Sequence, residues 1–374
     1  MTHYLDNAAT TAMRPAAVEV MVPLLAEGYG NPSGAHRMSR EANRVLDDAR
    51  ETLAGVLGAQ PGQIVFTGGG TEADNLAVTG VIDAVGGVPV CSAIEHHAVL
   101  DPVVHHGGRV VAVNAAGRID LAELERALDD SVSLVSVMLA NNETGVIQPL
   151  AQVAEIVRAT APNALLHTDA VQALCWLDIA ELAADADLIS ISAHKFGGPK
   201  GVGALVVGGR AALSPLLKGG GQERGRRGGT HNVAGIAAMA CAAAETVAER
   251  PTAVARVAAL RNRLTDGLLQ TVEGAVESGN RADKTANISH LCFTGIESEA
   301  LLFLLEKEDI MASAASSCAS GAQEPSHVLS AMGFDRDLAF GSLRLSLGYS
   351  TTDADVDATL ATVPAAVQRL RERG

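Results

Sequence analysis

Lys195 stands in a polar turn, Ser192-Ala-His194-Lys195, between two strand-length apolar runs. A lysine at the edge of a core can lose its proton and form a Schiff base with a carbonyl. A solvated surface lysine is the ordinary alternative, so the neighbours of the amine decide. Thr71 follows Gly68-Gly69-Gly70 at the start of a predicted helix, where free backbone N–H groups make an anion cup. The stretch matches neither a Walker loop nor a full G-x-G-x-x-G pattern and, taken alone, is equally a tight turn. His96 brings an imidazole, Asn142 an amide and Asp169 a carboxylate.

These five positions share one property: each lies at or just past the C-terminal end of a predicted strand. Short apolar runs bounded by turn residues predict strands over 63–66, 89–93, 109–113, 134–139 and 164–166, and on either side of Lys195 over 186–189 and 202–207. Helices are predicted between them, over 15–25, 40–57 (closed by Gly58), 72–81, 121–128 and 149–159. In an open α/β sheet with parallel strands, the C-terminal ends share one edge, where ligands bind. Surface scatter explains any one of the five residues and explains all five poorly. Residues 217–233 are glycine-rich and hold the one local cluster of positive charge. They read either as a solvated loop or as a loop that lends Thr230 or an arginine to a phosphate. Two helices, 234–249 and 252–272, lead to a strand at 288–293 and a helix at 299–308. A small-residue loop over 311–323 carries Cys318. A short helix at 326–332, a strand at 343–347 containing Arg344 and a helix at 353–370 complete the reading.

Bulk properties narrow the class. At 374 residues the chain is long for one core. A net charge of -15 argues against direct nucleic-acid binding. No apolar run is long enough to span a bilayer and no signal-peptide pattern is present, so a cytoplasmic location is expected. Five cysteines without a Cys-x-x-Cys pair suit neither a disulfide framework nor a metal site. Cys91, Cys175, Cys241 and Cys292 sit in apolar surroundings and read as core residues; Cys318, among Ser, Ala and Gly, does not.

A lysine, a carboxylate, an imidazole and a phosphate cup at one sheet edge meet the needs of pyridoxal 5'-phosphate (PLP). The motifs Tyr4-Leu-Asp-Asn-Ala-Ala-Thr-Thr11, Gly70-Thr-Glu-Ala-Asp-Asn75, Asn141-Asn-Glu-Thr-Gly145, Ser192-Ala-His-Lys195, Gly219-Gly-Gly-Gln-Glu-Arg224, Cys318-Ala-Ser-Gly-Ala-Gln-Glu-Pro-Ser326 and Arg344-Leu-Ser-Leu-Gly348 go further. Together they resemble the cysteine desulfurases of the NifS/IscS type, which are class V aminotransferase-like, fold-type I PLP enzymes.

The resemblance implies an α/β fold. A large domain over 15–253 carries a mostly parallel seven-stranded sheet flanked by helices. A smaller α+β domain from 1–14 and 254–374 carries the nucleophile loop, about 311–326. It implies that Lys195 holds PLP, Asp169 meets the pyridine nitrogen, Gln172 the ring hydroxyl, and His96 stacks on the ring and assists proton transfer. Gly70, Thr71, Ser192 and His194 hold the phosphate, with Thr230 arriving from the partner subunit of a homodimer. Asn142 and Arg344 bind the substrate carboxylate. Cys318 takes sulfur from L-cysteine as a persulfide, releases L-alanine, and passes the sulfur to an acceptor protein for iron–sulfur cluster assembly or thio-modification. Selenocysteine lyase, another class V reaction and a catalytically silent binding protein are the alternatives. Two departures from the family pattern stand out. Ala-Ser-Ala-Ala-Ser-Ser precedes Cys318 where the pattern has Ser-Ser-Gly-Ser-Ala, and the sequence closes at Arg-Glu-Arg-Gly374 without the tail that housekeeping members use to dock a scaffold.

Overall fold

Seven strands make the main sheet of the computed structural model, which describes residues 2–314 and 325–372. They are β1 (Ile64–Thr67), β2 (Val88–Ser92), β3 (Arg109–Val111), β4 (Val132–Ser136), β5 (Leu165–Asp169), β6 (Leu188–Ser192) and β7 (Gly203–Val207). The spatial order is β1-β7-β6-β5-β4-β2-β3. The run from β6 to β3 is parallel throughout, while β7 runs antiparallel to both β6 and β1. Two reversals cancel, so β1 points the same way as β6 and its C-terminal end returns to the shared edge.

Both faces of the sheet are covered, which is why β5, β6 and β7 are buried along their whole lengths. On one face lies the helix Arg37–Leu57. His36 caps it through a ring nitrogen that accepts the Ser39 N–H, and Gly58, at φ 67°, ends it. Its stripe Leu46, Leu53 and Leu57 joins the large core. The helix Gly70–Val85 covers the other face with Ala73, Leu76, Ala77 and Val81 against Val65, Leu134, Leu165 and Leu205.

A second sheet is antiparallel and smaller: β8 (Ala275–Glu277), β9 (Ile288–Phe293) and β10 (Ser342–Ser346), in the order β10-β9-β8. The helices Ser298–Glu306 and Asp353–Arg371 pack on it around Leu291, Phe293, Leu305, Leu343 and Val363. Leu5 belongs to the same cluster, and His3–Tyr4 pairs in parallel with Ile310–Met311. Among the described residues, no helix is long and apolar enough to cross a membrane.

Several expectations change. The strand expected over 134–139 runs Val132–Ser136, so Asn142 stands six residues beyond its end instead of just past it. The two helices expected over 234–249 and 252–272 form a single helix, Val233–Thr271, with Pro251 inside it. An interior proline removes a hydrogen bond and costs about 3 kcal/mol. The residues at 248–249 and 251–252 are exposed, so a carbonyl without its helical donor can turn to water there. The first half of the helix buries Val233, Ile236 and Met239 in the large core, and the second buries Leu260, Leu264 and Leu268 in the smaller one. At ~1.5–3 kcal/mol per buried aliphatic side chain, the anchoring at both ends outweighs the proline.

Candidate active site

A pocket of about 390 Å³ opens at the C-terminal edge of the main sheet. Gly70, Thr71, His96, Asn142, Asp169, Gln172, Ser192, His194, Lys195 and Arg344 line it, so ten of the twelve residues singled out above meet there. Thr230 is exposed and is not among the lining residues. Cys318 lies outside the described residues.

Lys195 closes the short turn after β6. Its Nζ donates to the Ala8 carbonyl at 2.6 Å and the Ala9 carbonyl at 2.9 Å. Burial and then the charge of Arg344 bring its pKa down to about 8, against the opposing pull of Asp169 and Asp6. The Ala8 carbonyl also accepts Gln172 Nε2 at 2.7 Å. Asp169 ends β5, buried, with one carboxylate oxygen accepting the Val171 N–H at 2.8 Å. Burial pushes its pKa up, and the charges of His96 and Lys195 push back. His96 caps the helix His97–His105: its Nδ1 accepts the Ala98 N–H at 3.0 Å, which leaves the proton of the neutral ring on Nε2. Burial lowers the pKa of His96, and burial followed by Lys195 lowers that of His194 to about 4. Burial thus favours the neutral form of both imidazoles.

Arg344 comes from β10 on the smaller sheet. Its Nη1 donates to the Asn142 carbonyl at 3.0 Å and its Nη2 to Asp6 Oδ1 at 2.8 Å. Asn142 is held in place by its neighbour: Asn141 accepts the N–H groups of Glu143 and Thr144 and donates to the Ile94 carbonyl.

Around the glycine turn, close approach replaces side chains. A Cβ on Gly70 would stand 2.8 Å from Val171 Cγ2 and 3.3 Å from Ser192 Cβ. A Cβ on Gly203 of β7 would meet the Ile191 carbonyl at 2.6 Å and the Gly69 backbone at 2.8 Å. The cup thus lies directly against the strand beneath it. The basic loop is anchored rather than free. Glu223 accepts two bonds from Arg50 (2.7 and 2.9 Å), one from the Phe66 N–H (2.9 Å), and pairs with His231 Nε2 at 2.7 Å. Arg227 of this loop pairs with Glu72 at 2.8 Å.

Residues 3–359 match the family described as aminotransferase class-V. The chain belongs to this family. Its likeness within the family is to cysteine desulfurases. The IscS-like cysteine desulfurase of Mycobacterium tuberculosis is 43% identical over 385 residues, covering 98% of this chain and 97% of the relative. Among solved structures, a NifS-like protein superposes with a TM-score of 0.92 at 37% identity, covering 99% of this chain and 100% of that one. The structure of SspA in complex with cysteine superposes with a TM-score of 0.79 at 30% identity, covering 94% and 100%. The expected fold class, an α/β molecule with a large mixed sheet flanked by helices, is that of these class-V relatives.

The class-V pocket also contains groups that the reading of strand ends passed over. The carbonyls of Ala8 and Ala9 carry no side-chain signal. Asp74 does carry one: it is a charged residue on the buried face of the helix Gly70–Val85, beside Ala73, Ala77 and Val78. Its Oδ1 has no hydrogen-bond partner among the described residues. Burial, and then the charge of Asp169, raise its pKa well above its ordinary value. Of the four described cysteines, Cys91 and Cys292 are core thiols, Cys175 is half-buried against the core, and Cys241, half-buried and outside every apolar cluster, departs from the core reading. Burial raises every one of their pKa values, to about 12 for Cys175 and Cys292.

Proposed function

We propose that the chain is a PLP-dependent cysteine desulfurase that converts L-cysteine to L-alanine and takes the sulfur onto Cys318 as a persulfide. The observation that carries this reading is the convergence of Lys195, Asp169 and Arg344 on one pocket in a chain 43% identical to a cysteine desulfurase.

The pocket fits PLP in three respects. Asp169 is a buried carboxylate whose pKa is driven up by burial, so a protonated ring nitrogen would be its natural counter-ion. The space beside Gly70 would be filled by a Cβ, and it sits at the start of a 16-residue helix, where N–H groups favour a phosphate. Lys195 loses its proton near the physiological range. In this reading Lys195 holds the cofactor, Asp169 meets the ring nitrogen, Gln172 the ring hydroxyl, and His96 covers the ring face. Gly70, Thr71, Ser192 and His194 hold the phosphate. When bound, PLP supplies an electron sink for negative charge developing on the substrate.

The chain's own groups do the rest. Arg344 and Asn142 hold the substrate carboxylate. Lys195, as the neutral amine, takes the proton from the substrate α-carbon, and His96 assists proton movement through Nε2–H. The Cys318 thiolate attacks the substrate sulfur. An S–S bond forms as the C–S bond breaks, and the carbon fragment takes a proton and leaves as alanine. The raised pKa values of the other four cysteines make them poor nucleophiles at neutral pH, which supports Cys318 for this role. Val18, Val22 and Leu25 lie exposed along one helix, followed by Tyr29. That apolar stripe supports a homodimer in which Thr230 completes the phosphate site of the partner subunit. Residues 15–253 then form the large domain and 1–14 with 254–374 the small one, with the boundary inside the helix Val233–Thr271. A cytoplasmic location and a protein acceptor for the sulfur complete the reading.

The test is direct. Purified protein given L-cysteine and a reductant is expected to release alanine and sulfide, with one added sulfur on Cys318 by mass spectrometry. Turnover that survives Cys318→Ala undiminished would overturn the persulfide step.

A further inference from the structure

Arg344 is engaged by its own chain before any substrate arrives. It is 5% exposed, and a guanidinium so buried is costly without a counter-charge. Asp6 provides one, through Oδ1 on Nη2 at 2.8 Å. The Nε–H of the same guanidinium is buried with no acceptor among the described residues. Carboxylates bind arginine best through two parallel bonds along one edge of the fork. The edge formed by Nε and Nη2 therefore has one arm open and the other on Asp6.

The two partners differ in freedom. The Arg344 side chain is 6% exposed and that of Asp6 23%, so Asp6 has a route toward solvent that Arg344 lacks. The backbone of Asp6 is fixed. It bridges Ser346, the Asn7 N–H donates to the Ser346 carbonyl at 3.1 Å, and the Ser346 N–H donates to the Leu5 carbonyl at 2.7 Å. Only the carboxylate can yield. A second carboxylate on the same guanidinium would put two like charges in close contact on one cation.

Resting on the assignment of Arg344 to the substrate carboxylate, we propose that Asp6 is the resting counter-ion of Arg344 and sets the affinity for amino-acid substrates by competing with their carboxylate for the Nη2 arm. Asp6 is thus a specificity residue that acts through Arg344. It offsets the charge of Arg344 in the empty site and weakens every ligand that enters carboxylate first.

The experiment uses the holoenzyme and separates charge from shape. Asp6→Asn is expected to lower KM for L-cysteine, and the inhibition constant of 3-mercaptopropionate, by about threefold to tenfold. At about pH 9, where the Lys195 amine is mostly neutral with or without Asp6, the change in kcat should stay within about twofold, since the lost competition acts on binding and not on the barrier that follows it. Cysteamine, which has the thiol and amine but no carboxylate, is expected to bind the variant and the parent alike. Asp6→Glu keeps the charge and is expected to keep the parent KM; a drop as large as that of Asp6→Asn would overturn the proposal, as would an unchanged or raised KM in Asp6→Asn. If Asp6→Asn folds poorly, Asp6→Ser makes the same charge change and is expected to give the same drop. Arg344→Gln isolates the underlying assignment. If it fails to weaken 3-mercaptopropionate, Arg344 does not receive the carboxylate and the proposal falls with it. If it weakens that ligand while Asp6→Asn does not tighten it, competition alone is wrong.

Discussion

Lys195 owes its lowered pKa first to burial. With its pKa brought down to about 8, the neutral fraction of the amine grows about tenfold per pH unit below that value and levels off above it. Uptake of PLP by the apoprotein, followed by visible absorbance, is expected to trace that curve. Asp6 raises the Lys195 pKa through its charge, so Asp6→Asn is expected to move the break to lower pH. A rate flat from about pH 6 to 9 would show that deprotonation of Lys195 does not limit uptake. At this scale the side chains were largely legible in the sequence, because strand ends mark a shared edge and polar residues placed there stand out. The carbonyls of Ala8 and Ala9 were not, since every residue has one. Asp74 was readable in principle from its place on a buried helical face, but an interior acid is found only by asking which charge interrupts an apolar stripe.

At the scale of elements, the cup at the start of the helix Gly70–Val85 depends on a residue from another strand. Gly203→Ala would drive a Cβ into the Ile191 carbonyl and the Gly69 backbone, and backbone atoms yield less readily than side-chain ends. We expect a loss of about 1–3 kcal/mol in stability and at least tenfold weaker retention of PLP during dialysis, measured by absorbance. Normal retention would show that the loop shifts without cost to the phosphate site. Periodicity marked most elements well: β9 spans the predicted residues, and Gly58 ends its helix as read. It missed the pair His3–Tyr4 and Ile310–Met311, since two-residue strands have no period. It split the helix Val233–Thr271 at Pro251, where local propensity pointed one way and packing at both ends the other.

Across the whole molecule, Glu223 ties the basic loop to the core. Burial alone would raise its pKa, but the bonds from His231 and Arg50 and the Phe66 N–H hold it at about 2. A carboxylate held below its unfolded value of about 4.3 contributes stability that is present above that pH and is lost as pH falls toward 2. Arg50→Met removes one partner of a buried pair and is expected to cost about 3–5 kcal/mol at pH 7. In urea titrations the gap between variant and parent is expected to narrow from about pH 5 downward. A gap that stays constant with pH would mean that Arg50 acts by packing over the Phe66 ring, where it also lies.

The loop from Asp6 to Thr11 has a further consequence, in the order of synthesis. It is made before its distant partners, which are Gln172, His194, Lys195, Arg344 and Ser346. Contacts this far apart in sequence are closed late. Until Arg344 and Ser346 have been made, Asp6 lacks its arginine, and the loop can meet only Gln172, His194 and Lys195. A nascent chain can therefore seat Lys195 against the loop before the strand Ser342–Ser346 exists, and the site is complete only when that strand brings Arg344 to Asp6.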